Sequence, residues 1–332
     1  MSGTGNKFVV LIPTRDRPAY LNLTVESVLE QAKRHGHKDI EIVVSDVSEA
    51  ANARQNEKFV EKLRARFPDT PIHYYPPGEP EPIKRLLKKA TQEEKKAFEE
   101  LVPKDGHYGA HRNRLALLGI YHGGKNAAYL HLDDDTPLMS IDSKKGVLPK
   151  NLADVLGAFK AGFREAVKRN RPGFYGSIAG VPDSTVSLQD GAPPGKLRDF
   201  LRDSEKSLYP VKATAGPARV LRAEAMRLPY APKGVNEDWK FLNDLAQHWT
   251  SSRKMRGLRR EQASLLKFYL LRPSEYKDAM VIHIGIHGPR LGKKDIRRYS
   301  KESHFSSSRK KPLQETWMKL ADRMMALKPH RE

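Results

Sequence analysis

The 332-residue chain contains no cysteine, which excludes disulfide bonds and thiolate metal ligands and favours a reducing compartment. It has no apolar run near the roughly 20 residues that a membrane-spanning helix requires. Its first apolar run, "FVVLIP", is too short before the proline to predict a signal peptide. These absences lead us to expect a cytoplasmic protein without a transmembrane segment.

Acidic residues are few relative to basic ones. The chain has 60 Lys and Arg against 40 Asp and Glu, a formal charge of +20. Its hydrophobic content of 38% is that of a globular protein rather than a disordered one. Because net charge bears on partners rather than on fold, it points to nucleic acid, an anionic membrane surface or an acidic polymer. High solubility alone is the alternative.

The first part of the chain alternates strand and helix patterns. Continuous apolar runs predict buried strands at Phe8–Pro13 and Ile40–Asp46, and a shorter run predicts a third at Pro71–Tyr75. Residues 19–36 and 49–66 have apolar side chains at helical spacing. This β-α-β-α-β order predicts a parallel sheet with right-handed crossovers.

The remaining segments continue the pattern with one interruption. Residues 76–106 are proline-rich and then charged, which predicts a surface insertion. Further elements are predicted as a helix and strand at 109–123 and 127–132, a helix at 151–170, a strand at 173–180, a strand and short helix within 211–229, a helix at 236–249 and a strand at 279–288. Residues 290–332 hold 13 Lys or Arg against 5 Asp or Glu and end in an amphipathic segment.

Polar residues follow three predicted strands, in "PTRDRP", "SDVS" and "DDDT". Ligands of parallel α/β sheets bind beyond the carboxyl ends of the strands, so we expect these groups to share one crevice. The consecutive acids Asp133, Asp134 and Asp135 repel one another unless a cation or water screens them. An acidic surface turn is the alternative interpretation.

These motifs, taken in order, resemble family 2 glycosyltransferases. "VVLIPTRDRPAYLNLTVESVLEQ" is similar to that family's opening strand, turn and helix, and "IEIVVSDVS" to its second strand. "GAHRNRLALLGIYHGGKNAAYLHLDDD" resembles the Ala-Arg-Asn helix followed by the Asp-x-Asp strand. "GPARVLRAEAMRLPYAPKGVNEDWKFLNDL" resembles the later strand, helix and Glu-Asp-Trp segment. The resemblance covers residues 7–250.

The resemblance implies an α/β protein with the GT-A fold, a mostly parallel Rossmann-like sheet flanked by helices. Residues 1–135 would form the nucleotide-sugar-binding half, with 76–106 as an insertion. Residues 136–289 would form the acceptor half that carries the Glu-Asp-Trp motif, and 290–332 a basic C-terminal extension.

The resemblance also assigns metal ligands. Divalent Mn²⁺ or Mg²⁺ prefers oxygen ligands, and Asp135 would bind it beside the donor diphosphate. Asp133 or Asp134 would reach the ribose or a metal-bound water, with Asp133 also a candidate ligand. A histidine completes the metal shell in some GT-A enzymes, so His283 or His287 is a further candidate; surface or buried histidine is the alternative for each.

Other positions would contact the donor nucleotide, which we expect to be of UDP type: Pro13, Thr14 and Arg15. Asp46 would read the base, although Ser45-Asp46-Val47 departs from the family's Asp-Asp-Gly and leaves the base open. Capping of the following helix is the alternative for Asp46. Arg112 offers a planar fork of donors to phosphate or base oxygens, a solvated helix arginine being the alternative.

The "NEDW" segment supports two compatible interpretations. Asn236 is a candidate N-cap, and the adjacent acids complement the positive end of a helix dipole. By the resemblance, Asp238 is the general base that deprotonates the acceptor hydroxyl, with Glu237 beside it as a further catalytic candidate.

The sequence therefore predicts a metal-dependent inverting glycosyltransferase. The basic segments 252–261 and 290–311 favour a polyanionic acceptor, first a hydroxylated base in nucleic acid, although a polysaccharide or lipid-linked acceptor stays open. A sugar-phosphate nucleotidyltransferase is less favoured because "PTRDRP" lacks glycine. A non-catalytic nucleic-acid-binding protein is less favoured because acids follow the strands.

Overall fold

The computed structural model describes residues 7–103, 108–142, 146–148, 154–168, 173–175, 178–180, 209–211, 218–232, 241, 244–245, 279–283 and 307–327. The strands in this part of the chain are β1 Phe8–Thr14, β2 Ile40–Asp46, β3 Ile72–Tyr75, β4 Ala128–His131, β5 Leu138–Asp142, β6 Gly146–Leu148, β7 Gly173–Tyr175, β8 Ile178–Gly180, β9 Tyr209–Val211, β10 Arg219–Arg222 and β11 Ala279–His283. The helices are α1 Pro18–His35, α2 Ala50–Arg66, α3 Glu81–Lys88, α4 Gln92–Leu101, α5 Tyr108–Gly123, α6 Val155–Lys168, α7 Ala223–Met226 and α8 Ser307–Ala326.

The strands form two sheets, in the orders β3-β2-β1-β4-β10-β7 and β6-β5-β11-β8-β9. In the first sheet β3, β2, β1 and β4 are parallel, and β10 joins antiparallel to both β4 and β7. The predicted α/β architecture, a mostly parallel sheet with helices on its faces, is therefore confirmed.

Both faces of β1 are buried, which explains its continuous apolar run. Val10 and Ile12 belong to the core under α1, α2 and α6, whereas Val9 and Leu11 belong to the core under α3, α5, α7 and α8. The register pairs Thr14 with Asp46, so β1 and β2 end side by side. The carboxyl ends of both strands therefore open at the same edge of the sheet.

The helix after β1 has clear stop and start signals. Proline occupies its first turn at Pro18, and Gly36 ends it with a φ of 68°, donating its N–H to the carbonyl of Ala32. Basic residues in the last turn complement the negative end of the helix dipole. These signals place the first turn of α1 next to the carboxyl end of β1.

Helices α3 and α4, which lie within the 76–106 segment, pack against the C-terminal helix α8. Helices α3 and α4 bury Ile83, Leu86, Phe98 and Leu101 in the same core as Trp317, Leu320 and Met324 of α8. Glu94 accepts a bond from Arg323 at 2.9 Å and forms a capping box with Thr91. The predicted insertion thus buries one face of each helix, and the amphipathic C-terminal segment covers it.

One predicted strand is wrong in its extent. Residues 173–175 and 178–180 form two short strands that belong to different sheets, β7 beside β10 and β8 beside β11. Apolar periodicity indicates a strand but not the sheet that it joins. Among the described residues, no helix is long and apolar enough to cross a membrane.

Candidate active site

The three consecutive acids Asp133, Asp134 and Asp135, called the acid cluster below, follow β4 at the carboxyl end of the parallel sheet. Pairing between β1 and β4 reaches Leu11 and His131, and the N–H of Leu132 donates to the carbonyl of Leu11 at 3.0 Å. Asp134 and Asp135 are buried, whereas the Asp133 side chain is 26% exposed. The acids therefore lie at the edge of the sheet that topology predicted, and two of them are buried.

Asp134 is bonded to the end of β1 and to α1. The Thr14 hydroxyl donates to its Oδ2 at 2.8 Å, and the Thr24 hydroxyl donates to its carbonyl oxygen at 2.7 Å. The predicted nucleotide contact Thr14 thus supports the acid cluster. Pro13, paired with Ser45 in the sheet, fixes the chain just before it.

Arg17 forms the cationic partner of the two buried acids. Its Nη1 lies 3.3 Å from Asp134 Oδ1 and 3.1 Å from Asp135 Oδ2. The predicted Arg15 has a 60% exposed side chain, and its ion pair with Asp16 is 3.9 Å long. The sequence analysis did not identify Arg17. Helix α1 starts at Pro18 and makes Arg17 its N-cap residue, and this position distinguishes Arg17 from Arg15.

Burial changes the ionisation of this cluster. It raises the pKa of Asp134 to about 7; the Arg17 charge opposes that rise, and the neighbouring Asp135 charge adds to it. Two adjacent carboxylates that share one positive group have the oxygen chemistry that Mn²⁺ and Mg²⁺ prefer. The residues present therefore fit a divalent cation.

Asp133 is paired with the predicted Arg112. Arg112 Nη2 donates to Asp133 Oδ1 at 2.9 Å, and the guanidinium lies 5.9 Å from the ring centroid of Tyr230. Arg112 is buried, so the alternative of a solvated helix arginine is wrong. Each of the three acids consequently has an arginine partner.

The two residues after Arg112 position the surrounding loops. Asn113 donates to the carbonyls of Leu101 and Tyr230 at 2.8 and 3.0 Å and accepts from the N–H of Tyr230 at 2.6 Å. Arg114 donates to the carbonyl of Pro76 at 2.9 Å. Arg112, Asn113 and Arg114 of α5 thus bond to different segments around the acids.

Asp46 is completely buried and accepts three hydrogen bonds. The donors are the Ser48 N–H, Asn56 Nδ2 and the Tyr74 hydroxyl, at 2.7, 2.7 and 2.6 Å. Burial, with this bond to Asp46, raises the pKa of Tyr74. The N-cap of α2 is Glu49, so the helix-cap alternative for Asp46 is wrong. Its role in reading a base stays a prediction.

A second aspartate, missed by sequence reasoning, joins the loops after β1 and β2. Asp16 has a φ of 56°, a left-handed conformation that Asp tolerates better than most residues. Its N–H donates to the Ser48 hydroxyl at 2.7 Å, and its Oδ1 accepts from the Glu49 N–H and Asn52 at 2.8 and 3.1 Å. These bonds fix the turn that carries Arg15 and Arg17.

The other predicted site residues have less structural description. His283 is the last residue of β11, whose register pairs Val281 with Leu138. Glu237, Asp238 and His287 lie outside the described residues, as do segment 252–261 and most of 290–311.

Comparisons with known proteins give structural similarity without a family. No protein-family model matches the chain, and no curated protein matches it. A mannosyltransferase from Pyrobaculum calidifontis, solved with GDP-Man and Mn²⁺, is 11% identical, with 96% of this chain and 73% of that chain covered and a TM-score of 0.41. TarS from S. aureus is 14% identical, with 72% and 33% covered and a TM-score of 0.37. Core-mannan synthase A from Aspergillus fumigatus is 11% identical, with 75% and 66% covered and a TM-score of 0.30. Scores and identities this low establish neither a family nor an activity.

Proposed function

We propose that the chain is a metal-dependent inverting glycosyltransferase of the GT-A type. It would move a sugar from a nucleotide-sugar donor to an acceptor hydroxyl. The observation that supports this most is the acid cluster after β4, where Asp134 and Asp135 share one cationic group at the carboxyl end of a parallel sheet.

The donor diphosphate would lie at this edge of the sheet. Asp135, with Asp133 and a histidine at 283 or 287 as further candidates, would hold Mn²⁺ or Mg²⁺. The bound cation would supply charge stabilisation for the departing nucleoside diphosphate. Arg17, which contacts both buried acids, would offer a planar group of donors to the diphosphate oxygens.

The reaction would be a single displacement with inversion at the anomeric carbon. Asp238, with Glu237 beside it, would accept the proton of the acceptor hydroxyl. The hydroxyl oxygen forms a bond to the anomeric carbon while the bond from that carbon to the diphosphate oxygen breaks. The electron pair of the broken bond leaves with the nucleoside diphosphate.

Donor turnover in the presence of metal tests this proposal. The purified chain would be incubated with UDP- and GDP-linked sugars and Mn²⁺ or Mg²⁺, and nucleoside diphosphate release would be measured. Asp135→Ala should lower the metal-dependent rate by more than about 100-fold. Asp69→Ala changes an exposed carboxylate in a turn and serves as the matched control.

Two outcomes would contradict the mechanism. Undiminished release by the Asp135→Ala variant, or full release after chelation, would exclude metal assistance through Asp135. Asp238→Asn should still bind the donor but lose transfer, so normal transfer by that variant would remove Asp238 as the base.

The acceptor class follows from charge rather than from the site. Basic segments 252–261 and 290–311 support a polyanionic acceptor, with hydroxylated bases in nucleic acid as the first candidate. Nucleic-acid affinity should then fall steeply as salt rises from about 50 to 200 mM. Binding that does not depend on ionic strength would favour an uncharged acceptor instead.

A further inference from the structure

A second group of metal-ligating side chains lies at the opposite end of the parallel sheet. Glu41 on β2, His73 on β3 and His122 at the end of α5 each place one ligand atom within 4.8 Å of the others. Glu41 precedes Asp46 by five strand residues, a separation of about 16 Å. This group, called the imidazole cluster below, is therefore distinct from the acid cluster.

The fold brings these residues together although they are distant in sequence. The β2–β3 register pairs Val43 with His73, and Glu41 lies two residues before Val43, on the same face of the sheet. The last turn of α5 packs on that face. The His73 and His122 rings are stacked, with centroids 3.7 Å apart and planes inclined by 21°.

Two polar atoms of the cluster are buried without a hydrogen bond among the described residues, Glu41 Oε2 and His73 Nε2. They face each other at 3.5 Å, which is too long for a strong hydrogen bond. The other Glu41 oxygen, Oε1, is occupied by Lys7 Nζ at 2.5 Å. Because unsatisfied buried polar atoms are destabilising, this pair is suited to share a ligand.

His122 is already oriented by hydrogen bonds. Tyr75 contacts its Nε2 at 2.6 Å, and Lys7 donates to its carbonyl oxygen at 2.9 Å. These two contacts fix the position of the ring beside His73.

We propose that Glu41, His73 and His122 bind a divalent transition metal ion of the Zn²⁺ class. Two imidazoles and one carboxylate are an established protein ligand set for Zn²⁺. Imidazole nitrogens select Zn²⁺, Ni²⁺ or Cu²⁺, whereas carboxylate oxygens suit Mn²⁺ and Mg²⁺. The two ends of the sheet would therefore bind different metals, and the imidazole cluster does not depend on the proposed transferase activity.

A bound ion would connect three elements that the donor side also uses. It would join β2 and β3 to the last turn of α5, and the first half of α5 carries Arg112, which pairs with Asp133. An ion that binds only the folded chain raises its stability. The imidazole cluster would thus act as a structural metal site that holds α5 against the sheet.

The test uses untagged full-length protein stripped with a chelator. Titration should show one Zn²⁺ ion bound tightly per chain, which we assign to the imidazole cluster. The melting temperature should rise by about 2–4 °C when the Zn²⁺ concentration is far above the dissociation constant. His73→Ala and His122→Ala should each lose that bound ion and the temperature rise. His35→Ala, a histidine on α1 outside the cluster, and Asp135→Ala should both retain them.

The result would be overturned by Zn²⁺ binding that is unchanged in the two cluster variants, or by no tightly bound ion in the parent protein. Circular dichroism would check the fold, and His73→Gln and His122→Gln would replace any alanine variant that fails to fold. These readouts measure Zn²⁺ alone. A failure here is therefore separable from a failure of sugar-nucleotide turnover.

Discussion

The two ends of the parallel sheet solve the same electrostatic problem with different chemistry. At the carboxyl end, buried Asp134 and Asp135 share Arg17; at the amino end, Glu41 is paired with Lys7. Each end therefore places a basic side chain next to a carboxylate that a metal could also neutralise. The proposed ligands differ: they are mainly carboxylate oxygens at the carboxyl end, and two imidazole nitrogens with one carboxylate at the amino end.

The two ends also differ in how deeply their acidic side chains are buried and how many neighbours bond to them. Asp46, Asp134 and Asp135 are buried and bonded to neighbouring loops, whereas the Glu41 side chain is 19% exposed and Lys7 is 38% exposed. Removing a buried acid that is bonded to its neighbours destabilises the fold, whereas a partly exposed acid can exchange partners at low cost in free energy. Predictions that separate the two ends therefore concern stability as well as metal binding.

The largest expected difference compares Asp46→Asn with Glu41→Gln. Asp46→Asn converts one buried carboxylate oxygen into an NH₂ group, which cannot accept either the Ser48 N–H bond to Oδ1 or the Asn56 and Tyr74 bonds to Oδ2, and should lower the free energy of unfolding by about 2–3 kcal/mol. Glu41→Gln should lower it by less than about 1 kcal/mol. Urea unfolding of metal-free protein would measure both free energies. Equal losses in the two variants would contradict the distinction between buried and partly exposed acids.

Arg17→Met sharpens the comparison at the carboxyl end. The cation must displace Arg17 from Asp134 and Asp135, so removing the guanidinium should tighten Mn²⁺ binding about tenfold. Titration calorimetry without nucleotide would measure the affinity. Arg15→Met, in the same turn but exposed, is the control and should bind Mn²⁺ like the parent. Weaker Mn²⁺ binding by Arg17→Met would show that Arg17 supports the metal site rather than competing for it.

Lys7→Met is the corresponding change at the amino end. Lys7 competes with a metal for Glu41, but its partly exposed, flexible chain is easier to displace than Arg17. Zn²⁺ affinity should rise only about threefold, measured by competition with a chromophoric chelator. Lys38→Met, which removes an exposed charge elsewhere, controls for net charge. A larger gain in metal affinity from Lys7→Met than from Arg17→Met would contradict the prediction that Lys7 is easier to displace.

The carboxyl end was predictable because its signals are local. The strands β1 and β2 are buried on both faces, so their apolar runs are continuous and end where Thr14 and Asp46 begin the polar loops. Parallel topology then brings those loops together. The location of Asp133, Asp134 and Asp135 therefore followed from the sequence alone.

Their partners were not predictable in the same way. "PTRDRP" contains two arginines, and only the backbone turn at Asp16 and the start of α1 decide that Arg17 faces the acids. The amphipathic pattern of α8 indicates a buried face but not that α3, α4 and α5 cover it. Such pairings depend on tertiary packing, which periodicity does not encode.

The imidazole cluster left no sequence signal at all. Its residues come from two strands and a helix end that are widely separated along the chain, and no motif spacing joins them. The short β7 and β8 show the same limit, because their sheet membership depends on partners elsewhere in the chain. Local patterns thus predict elements and their exposed ends, while non-local contacts select the neighbours.

Metal-free protein should also show a pH dependence of stability that has opposite signs at the two ends of the sheet. Burial raises the pKa of Asp134 to about 7, so the folded chain keeps a proton that the unfolded chain releases. This group therefore makes stability fall as pH rises from about 4 to about 7. Burial opposes ionisation of Glu41, but His73 and Lys7 outweigh it and lower its pKa.

Glu41 consequently contributes stability that is present above its unfolded pKa and is lost as pH falls through its folded pKa. Urea unfolding at a series of pH values should show that Asp134→Asn removes a decline between about pH 4 and 7. Glu41→Gln should instead remove part of the loss at more acidic pH. Because histidines also titrate in this range, each variant is compared with the parent at the same pH. Equal slopes in Asp134→Asn and the parent would mean that Asp134 is ionised in the folded protein, and the single charge of Arg17 would then face two full negative charges.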